Sequence, residues 1–229
     1  MVKLIEKLEK EELPLTSSVE RDEFIEASEK AFDCRFDGTS TFYPWKMPTK
    51  IPKSFKIGVI VGSSGSGKST ILKQFGIEEE PTWDNNKSIV SHFETPDDAI
   101  NKLGSVGLNS IPSWYKPYHV LSNGEKFRAD LARKIKSNAV IDEYTSVVDR
   151  NVAKAASVSL SKYVKNNGFE NIVLSTCHHD ILDWLEPDWV LDTDTGELLD
   201  GFFLSAQKST SKYIKHRMKL GECLKTIII

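Results

Sequence analysis

Nine residues constrain this chain more than any others: Gly62-Ser63-Ser64-Gly65-Ser66-Gly67-Lys68-Ser69-Thr70. The apolar run Ile57-Gly58-Val59-Ile60-Val61 precedes them, and Ile71-Leu72-Lys73-Gln74-Phe75 follows, so the segment reads as strand, loop and helix. The pattern is G-x-x-x-x-G-K-S/T in the setting it requires. Its glycines let the backbone curl so that successive N–H groups point inward, and the helix N-terminus adds a positive end. Such a cradle suits a triphosphate. Lys68 is expected to reach the β- and γ-phosphates, and the Ser69 hydroxyl to ligate Mg²⁺. Glycine and serine alone also suit a flexible linker, but a linker would not carry Lys68-Ser69 between a buried strand and a helix.

The chain has 229 residues, enough for one large domain with appendages and a substantial core. We read it as a helical segment over 1–32, a main domain over 33–204 and a basic tail over 205–229. A net charge of −3 gives no overall attraction to nucleic acid or anionic membranes. No apolar run approaches the roughly 18–20 residues that span a bilayer. The start, Met1-Val2-Lys3-Leu4-Ile5-Glu6-Lys7, lacks the pattern of a secretory signal. Three separated cysteines, Cys34, Cys177 and Cys223, suit a reducing cytoplasm.

In the leading segment, Ser17 and Glu20 are spaced as a capping box ahead of Phe24, Ile25, Ala27, Ala31 and Phe32. Between Asp33 and Phe55, aromatics alternating with Gly38, Pro44, Pro48 and Pro52 predict short antiparallel strands. Thr95-Pro96-Asp97-Asp98 predicts a helix start, with the helix ending near Gly104. Phe127, Leu131 and Ile135 recur every four residues after Asn123, an amphipathic helix. Ala139-Val140-Ile141 reads as a buried strand and Asn151 to Lys165 as helix, stopped by Asn166-Asn167-Gly168. A strand at Asn171 to Ser175, a short helix at Asp180 to Leu185 and a strand at Trp189-Val190-Leu191 complete the alternation. Strands alternating with helices predict an α/β fold with a mainly parallel sheet.

A second constellation narrows the chemistry. Leu121-Ser122-Asn123-Gly124-Glu125 opens the amphipathic helix, and Ala139-Val140-Ile141-Asp142-Glu143 follows it. Asp142, ending an apolar strand, suits a contact to Mg²⁺. Glu143, one residue on, is placed to deprotonate a water attacking the γ-phosphate. Ser146-Val147-Val148-Asp149 opens the next helix, and Thr176-Cys177-His178-His179-Asp180 follows the strand Ile172-Val173-Leu174. The Ser122 segment also suits an ordinary helix cap, and Asp142-Glu143 two ordinary loop acids. Cys177 to Asp180 carry metal-ligand side chains, but adjacent ligands rarely close a tetrahedral site, so no metal beyond the Mg²⁺ of the nucleotide is expected.

In this order the motifs resemble those of ABC-type ATPases, from about Phe36 to about Leu199. The resemblance implies that Ser122, Asn123, Gly124 and Glu125 are the signature motif and Ser146 to Asp149 the D-loop. It makes His179, rather than His178, the switch histidine, because Asp180 follows it directly. It also implies that the signature of one subunit closes the nucleotide site of another, so a homodimer with twofold symmetry would hold two ATP·Mg²⁺ sites. An aromatic residue ahead of the glycine-rich loop is expected to stack on adenine. Phe36, Phe42, Tyr43 and Trp45 qualify, each also suits a core, and Tyr43 is preferred.

Three features depart from that family's common pattern. Asn123 and Glu125 stand where glycine and glutamine are usual. The interval from Lys68 to Leu121 is short, implying a reduced helical subdomain. No residue reads well as the Q-loop glutamine; Gln74 is too early, and Asp84, Asn85 and His92 are substitutes. Transporters use these parts to engage membrane domains, so a non-transporter role is expected, with an energising transporter subunit and a P-loop kinase as alternatives. Gly107-Leu108, Tyr118 to Gly124 and His179 to Trp189 further resemble non-transporter ABC ATPases of bacteria, archaea and phages that are often fused to an acetyltransferase-like domain. No such domain follows Leu199, so an acetyltransferase-like protein as a separate partner, or the loss of that domain, is expected. The lysine-rich tail, with Lys208, Lys212, Lys215, Arg217, Lys219 and Lys225, offers a contact for nucleic acid or an acidic partner, or simply a solvated face.

Overall fold

The computed structural model describes residues 3–201; the basic tail and Cys223 lie outside the described residues. The centre of the fold is β4 (Ile57–Val61), whose five residues are all buried. Strands buried on both faces belong to parallel sheets covered by helices on each side. Accordingly β4 lies between β6 (Ile172–Thr176) and β7 (Trp189–Asp192), parallel to both, and β5 (Val140–Ile141) extends the sheet beyond β6. Two antiparallel strands, β8 (Glu197–Asp200) and β1 (Leu4–Lys7), complete the order β1-β8-β7-β4-β6-β5. A separate ribbon pairs β2 (Leu15–Ser18) with β3 (Thr39–Phe42).

Alternate residues of β4 feed two cores. Ile57, Val59 and Val61 pack with α3 (Pro96–Ser105), α5 (Asn123–Lys134) and α6 (Arg150–Asn166) through Leu103, Leu131, Ala156 and Leu160. Ile60 packs instead with Ile71 and Leu72 of α2 (Lys68–Leu72) and with Trp189 and Leu198. The helices form where the sequence supplies caps. Thr95 accepts the Asp98 N–H and Pro96 begins α3, while Asp149 accepts the N–H groups of Asn151 and Val152 to start α6. On α6, Ala153, Ala156, Ser157, Leu160, Ser161 and Val164 make one buried stripe at helical spacing. Between α2 and α5 lie only α3, the one-turn α4 (Ile111–Trp114) and two 3₁₀ turns, so the helical subdomain is small.

The leading segment departs from the helical expectation. Only Glu23–Phe32 (α1) is helix, and its N-cap is Asp22 rather than Ser17, which lies in β2. The Asp22 carboxylate accepts from Phe24 N and Ile25 N, at 3.1 and 2.9 Å. The first residues become strand because the antiparallel edge of β8 pairs their backbone, Leu4 opposite Leu199. None of the residues of α1 is buried, and Phe24 and Phe32 are largely exposed.

Candidate nucleotide site

The glycine-rich loop leaves β4 at the carboxyl edge of the sheet, where binding sites of open α/β folds assemble. Gly65 and Gly67 have φ of 77° and 97°, in the left-handed region that a side chain disfavours. A Cβ on Gly67 would also meet the Phe42 ring at 2.5 Å. The loop is braced by the turn between β7 and β8. Ser66 Oγ lies 2.6 Å from Thr193 Oγ1, and Asp194 accepts both the Ser63 hydroxyl at 2.6 Å and the Ser63 N–H at 3.0 Å. Lys68 Nζ donates to Ser63 O at 2.7 Å, so its ammonium arches over the loop. Ser64 and Ser69 are exposed, and Thr70 is half-buried.

Asp142 follows β5 and meets this loop. Burial resists its ionisation, but hydrogen bonds from Ser175 and Ser69, the Glu143 N–H and the charge of Lys68 outweigh that and hold its carboxyl below the usual range. An ionised carboxylate beside a hydroxyl and an ammonium, next to a glycine cradle, fits a magnesium-bound phosphate chain. Glu143 is exposed, and its φ of 46° turns the chain just after Asp142. Its N–H donates to Asp142 Oδ1 at 2.9 Å.

The two histidines part company. His178 is half-buried with Nδ1 3.4 Å from Thr145 Oγ1, and burial, then Arg150, push its imidazole below the ordinary value. His179 is exposed, with Nε2 3.9 Å from a carboxylate oxygen of buried Asp192 at the end of β7. Asp180 is gripped by Arg150 of α6, whose guanidinium also lies 5.4 Å from the Trp184 ring.

A second cluster forms at the start of α5. Ser122 is its N-cap in a reciprocal capping box with Glu125. The Glu125 carboxylate accepts from Ser113, from the Ser122 N–H and from the Ser122 hydroxyl, and these bonds, in that order, lower its pKa to about 2. Gly124 faces α6: a Cβ there would lie 3.6 Å from Val152. Arg128 ties the Gly124 carbonyl, at 2.9 Å, to that of Gly107, at 3.1 Å. Asn123 is exposed, and Asp149 caps α6 beside this cluster. Ser122, Gly124 and Asp149 thus share one patch, while Lys68, Ser69 and Asp142 share another.

Ahead of the loop, Tyr43 is exposed, and Phe42 is the ring seated on Gly67. Trp45 donates to Thr193 O at 3.1 Å, with the Lys10 ammonium 3.7 Å above its ring. His92 closes its own loop, with Nε2 accepting the Asp84 N–H at 2.9 Å and Nδ1 at 2.9 Å from Ser88 O. Glu78, Ser175, Asp192, Thr193 and Asp194 were not anticipated. Asp192-Thr193-Asp194-Thr195-Gly196 carries a turn signal between apolar runs that predicts the β7–β8 hairpin.

No family model and no curated protein matches this chain. Among solved structures, it is similar to the dimeric post-hydrolysis state of the ATP-binding cassette MJ0796 bound to ADP and Pi. That likeness has 16% identity over 88% of this chain and 95% of that one, with a TM-score of 0.50. A second is cbiO1 from Clostridium perfringens, part of the ABC transporter complex cbiONQ, at 17% identity, 74% and 87% coverage and a TM-score of 0.48. The chain has the α/β fold of an ATP-binding cassette, with short antiparallel strands beside a mostly parallel sheet. Among the described residues no helix is long and apolar enough to cross a membrane.

Proposed function

We propose that this chain is an ABC-type ATPase that binds ATP with Mg²⁺ and hydrolyses it between two head-to-tail copies, switching a partner protein or a nucleic acid. One observation carries the reading. Lys68 and Ser69 converge on an ionised Asp142, while Ser122, Gly124 and Asp149 gather in a different patch. Two half-sites on one chain are complete only when a second copy supplies the missing half.

In this reading the loop amides from Gly62 to Thr70 and the Lys68 ammonium hold the phosphates, and Tyr43 stacks on adenine. Ser69 and Asp142 would hold Mg²⁺, which would neutralise charge on the phosphate chain. Glu143 takes a proton from water as its oxygen attacks the γ-phosphorus, the bond to the β-phosphate oxygen breaks, and ADP and phosphate leave. His179 donates to the γ-phosphate. From the other copy, Ser122, Asn123 and Gly124 present the N-terminus of α5, a favourable place for an anion, with Asp149 beside it. Glu125, held by Ser113 and Ser122, keeps this helix end aligned.

The small region between α2 and α5 supports a role apart from a membrane domain. The domain division at 32 and 204, a cytoplasmic setting, an acetyltransferase-like partner and contact with nucleic acid through the basic tail belong to this proposal. Glu143→Gln is expected to lower phosphate release by about 10²–10⁴-fold, the usual worth of a general base. Normal release by that variant, or release that depends on a phosphoryl acceptor, overturns the reading.

A further inference from the structure

Among the described residues the sheet ends at β5, which pairs there with β6 alone. Beyond it the backbone N–H of Asp142 needs an acceptor, since a half-buried N–H left unpaired is costly. In an extended sheet a neighbouring strand would supply a carbonyl. Here a side chain does so: Glu78 Oε2 accepts the Asp142 N–H at 3.1 Å. The other oxygen, Glu78 Oε1, takes Lys134 Nζ at 2.7 Å. The Lys134 and Glu78 side chains are only 13% and 21% exposed, so this pair is better shielded than a typical surface salt bridge. Lys134 is the last residue of α5, the helix that Ser122 begins.

We propose that Glu78 is a positioning residue for Asp142 and Glu143, with Lys134 holding it in place; this rests on the roles given to those two acids above. The Asp142 peptide is then gripped on two sides. Glu78 fixes its N–H, and Ser175 Oγ donates to its Oδ1. Because Oδ1 also receives the Glu143 N–H, at 2.9 Å, rotation of this peptide would turn both carboxylates together. The left-handed φ of Glu143, 46°, leaves little slack to absorb such a rotation. Glu79 and Glu80, by contrast, are exposed and take lysines, Lys136 and Lys134.

The Asp142 N–H requires an acceptor at a set reach, and Lys134 requires the second carboxylate oxygen. Glu78→Gln keeps an acceptor there, Glu78→Asp keeps the charge but withdraws the acceptor by one methylene, and Glu78→Ala removes both. Each is made in the full chain carrying Glu143→Gln, and Mn²⁺ affinity of the ATP complex is read by electron paramagnetic resonance, without turnover. Glu78→Ala and Glu78→Asp are expected to weaken Mn²⁺ by about tenfold, the low end for outer partners of metal ligands. Glu78→Gln, which keeps an acceptor for the Asp142 N–H but gives up the oxygen that faces Lys134, is expected to lose less than either. The same order is expected for the Mg²⁺ dependence of phosphate release when Glu143 is intact. Unchanged Mn²⁺ affinity in a folded Glu78→Asp or Glu78→Ala protein overturns the inference, as does an equal loss in Glu78→Gln. If the Glu143→Gln parent binds no Mn²⁺·ATP, the ATPase reading itself fails, and that result is distinct.

Discussion

Glu125 shows how one side chain can be fixed by its neighbours and still leave a signature in solution. Its carboxyl ionises near pKa 2 when folded, against 4.5 in an open chain, because Ser113 and Ser122 donate to the charged form. A folded pKa below the unfolded one adds stability that is complete above pH 4.5 and disappears as pH falls toward 2. Glu125→Ala is therefore expected to cost about 1 kcal/mol at neutral pH, the worth of a lost cap, by urea unfolding. The gap between it and the parent should close in acid; a gap that stays constant down to the acid end would contradict this account of Glu125. Ser122 and Glu125 could be read from their spacing, because a capping box is local. Glu78 could not. It stands in Glu78-Glu79-Glu80, a run that reads as a solvated face, and only the fold selects one of the three for the Asp142 N–H.

At the level of elements, the legible parts were those with local signals. β4, the loop, α3, α5 and α6 carry their apolar spacing and caps within a few residues, so their placement followed from the sequence. β1 did not, because it is short and its partner lies across nearly the whole chain: Leu4 pairs with Leu199. Ser17 and Glu20 have the spacing of a cap, yet the backbone there pairs with β3, and tertiary pairing overrides a weak local preference. The β4–β7 pairing shows how tightly the centre is built. Gly58 is opposite Trp189, and a Cβ on it would come within 2.0 Å of the indole. Gly58→Ala is expected to destabilise the protein by about 1–3 kcal/mol or more, the cost of overpacking a core. Thermal unfolding checks it, and an unchanged midpoint would mean that the indole is free to move.

For the whole molecule, the arrangement of motifs matters more than any one of them. The glycine-rich loop, Asp142, His179 and Asp192 lie along the carboxyl ends of four parallel strands, as the order of strands and helices in the sequence implies. Ser122, Gly124 and Glu125 are held at the start of α5, beside α6, by bonds to Ser113 and, through Arg128, to Gly107. What the sequence could not supply was the bracing between distant segments: Thr193 and Asp194 on the loop, Ser175 and Glu78 on Asp142, Arg150 on Asp180. Each joins residues far apart in the chain, so no local pattern announces it. Val147, Tyr115 and Val120 are exposed apolar side chains, surface that a second copy would cover in the proposed dimer. Sedimentation of the Glu143→Gln protein with saturating ATP and Mg²⁺ tests this central claim most directly. The account predicts a species of twice the single-chain mass that holds two nucleotides and falls apart when ATP is withdrawn. A single-chain mass at high protein concentration, with nucleotide bound, would contradict it.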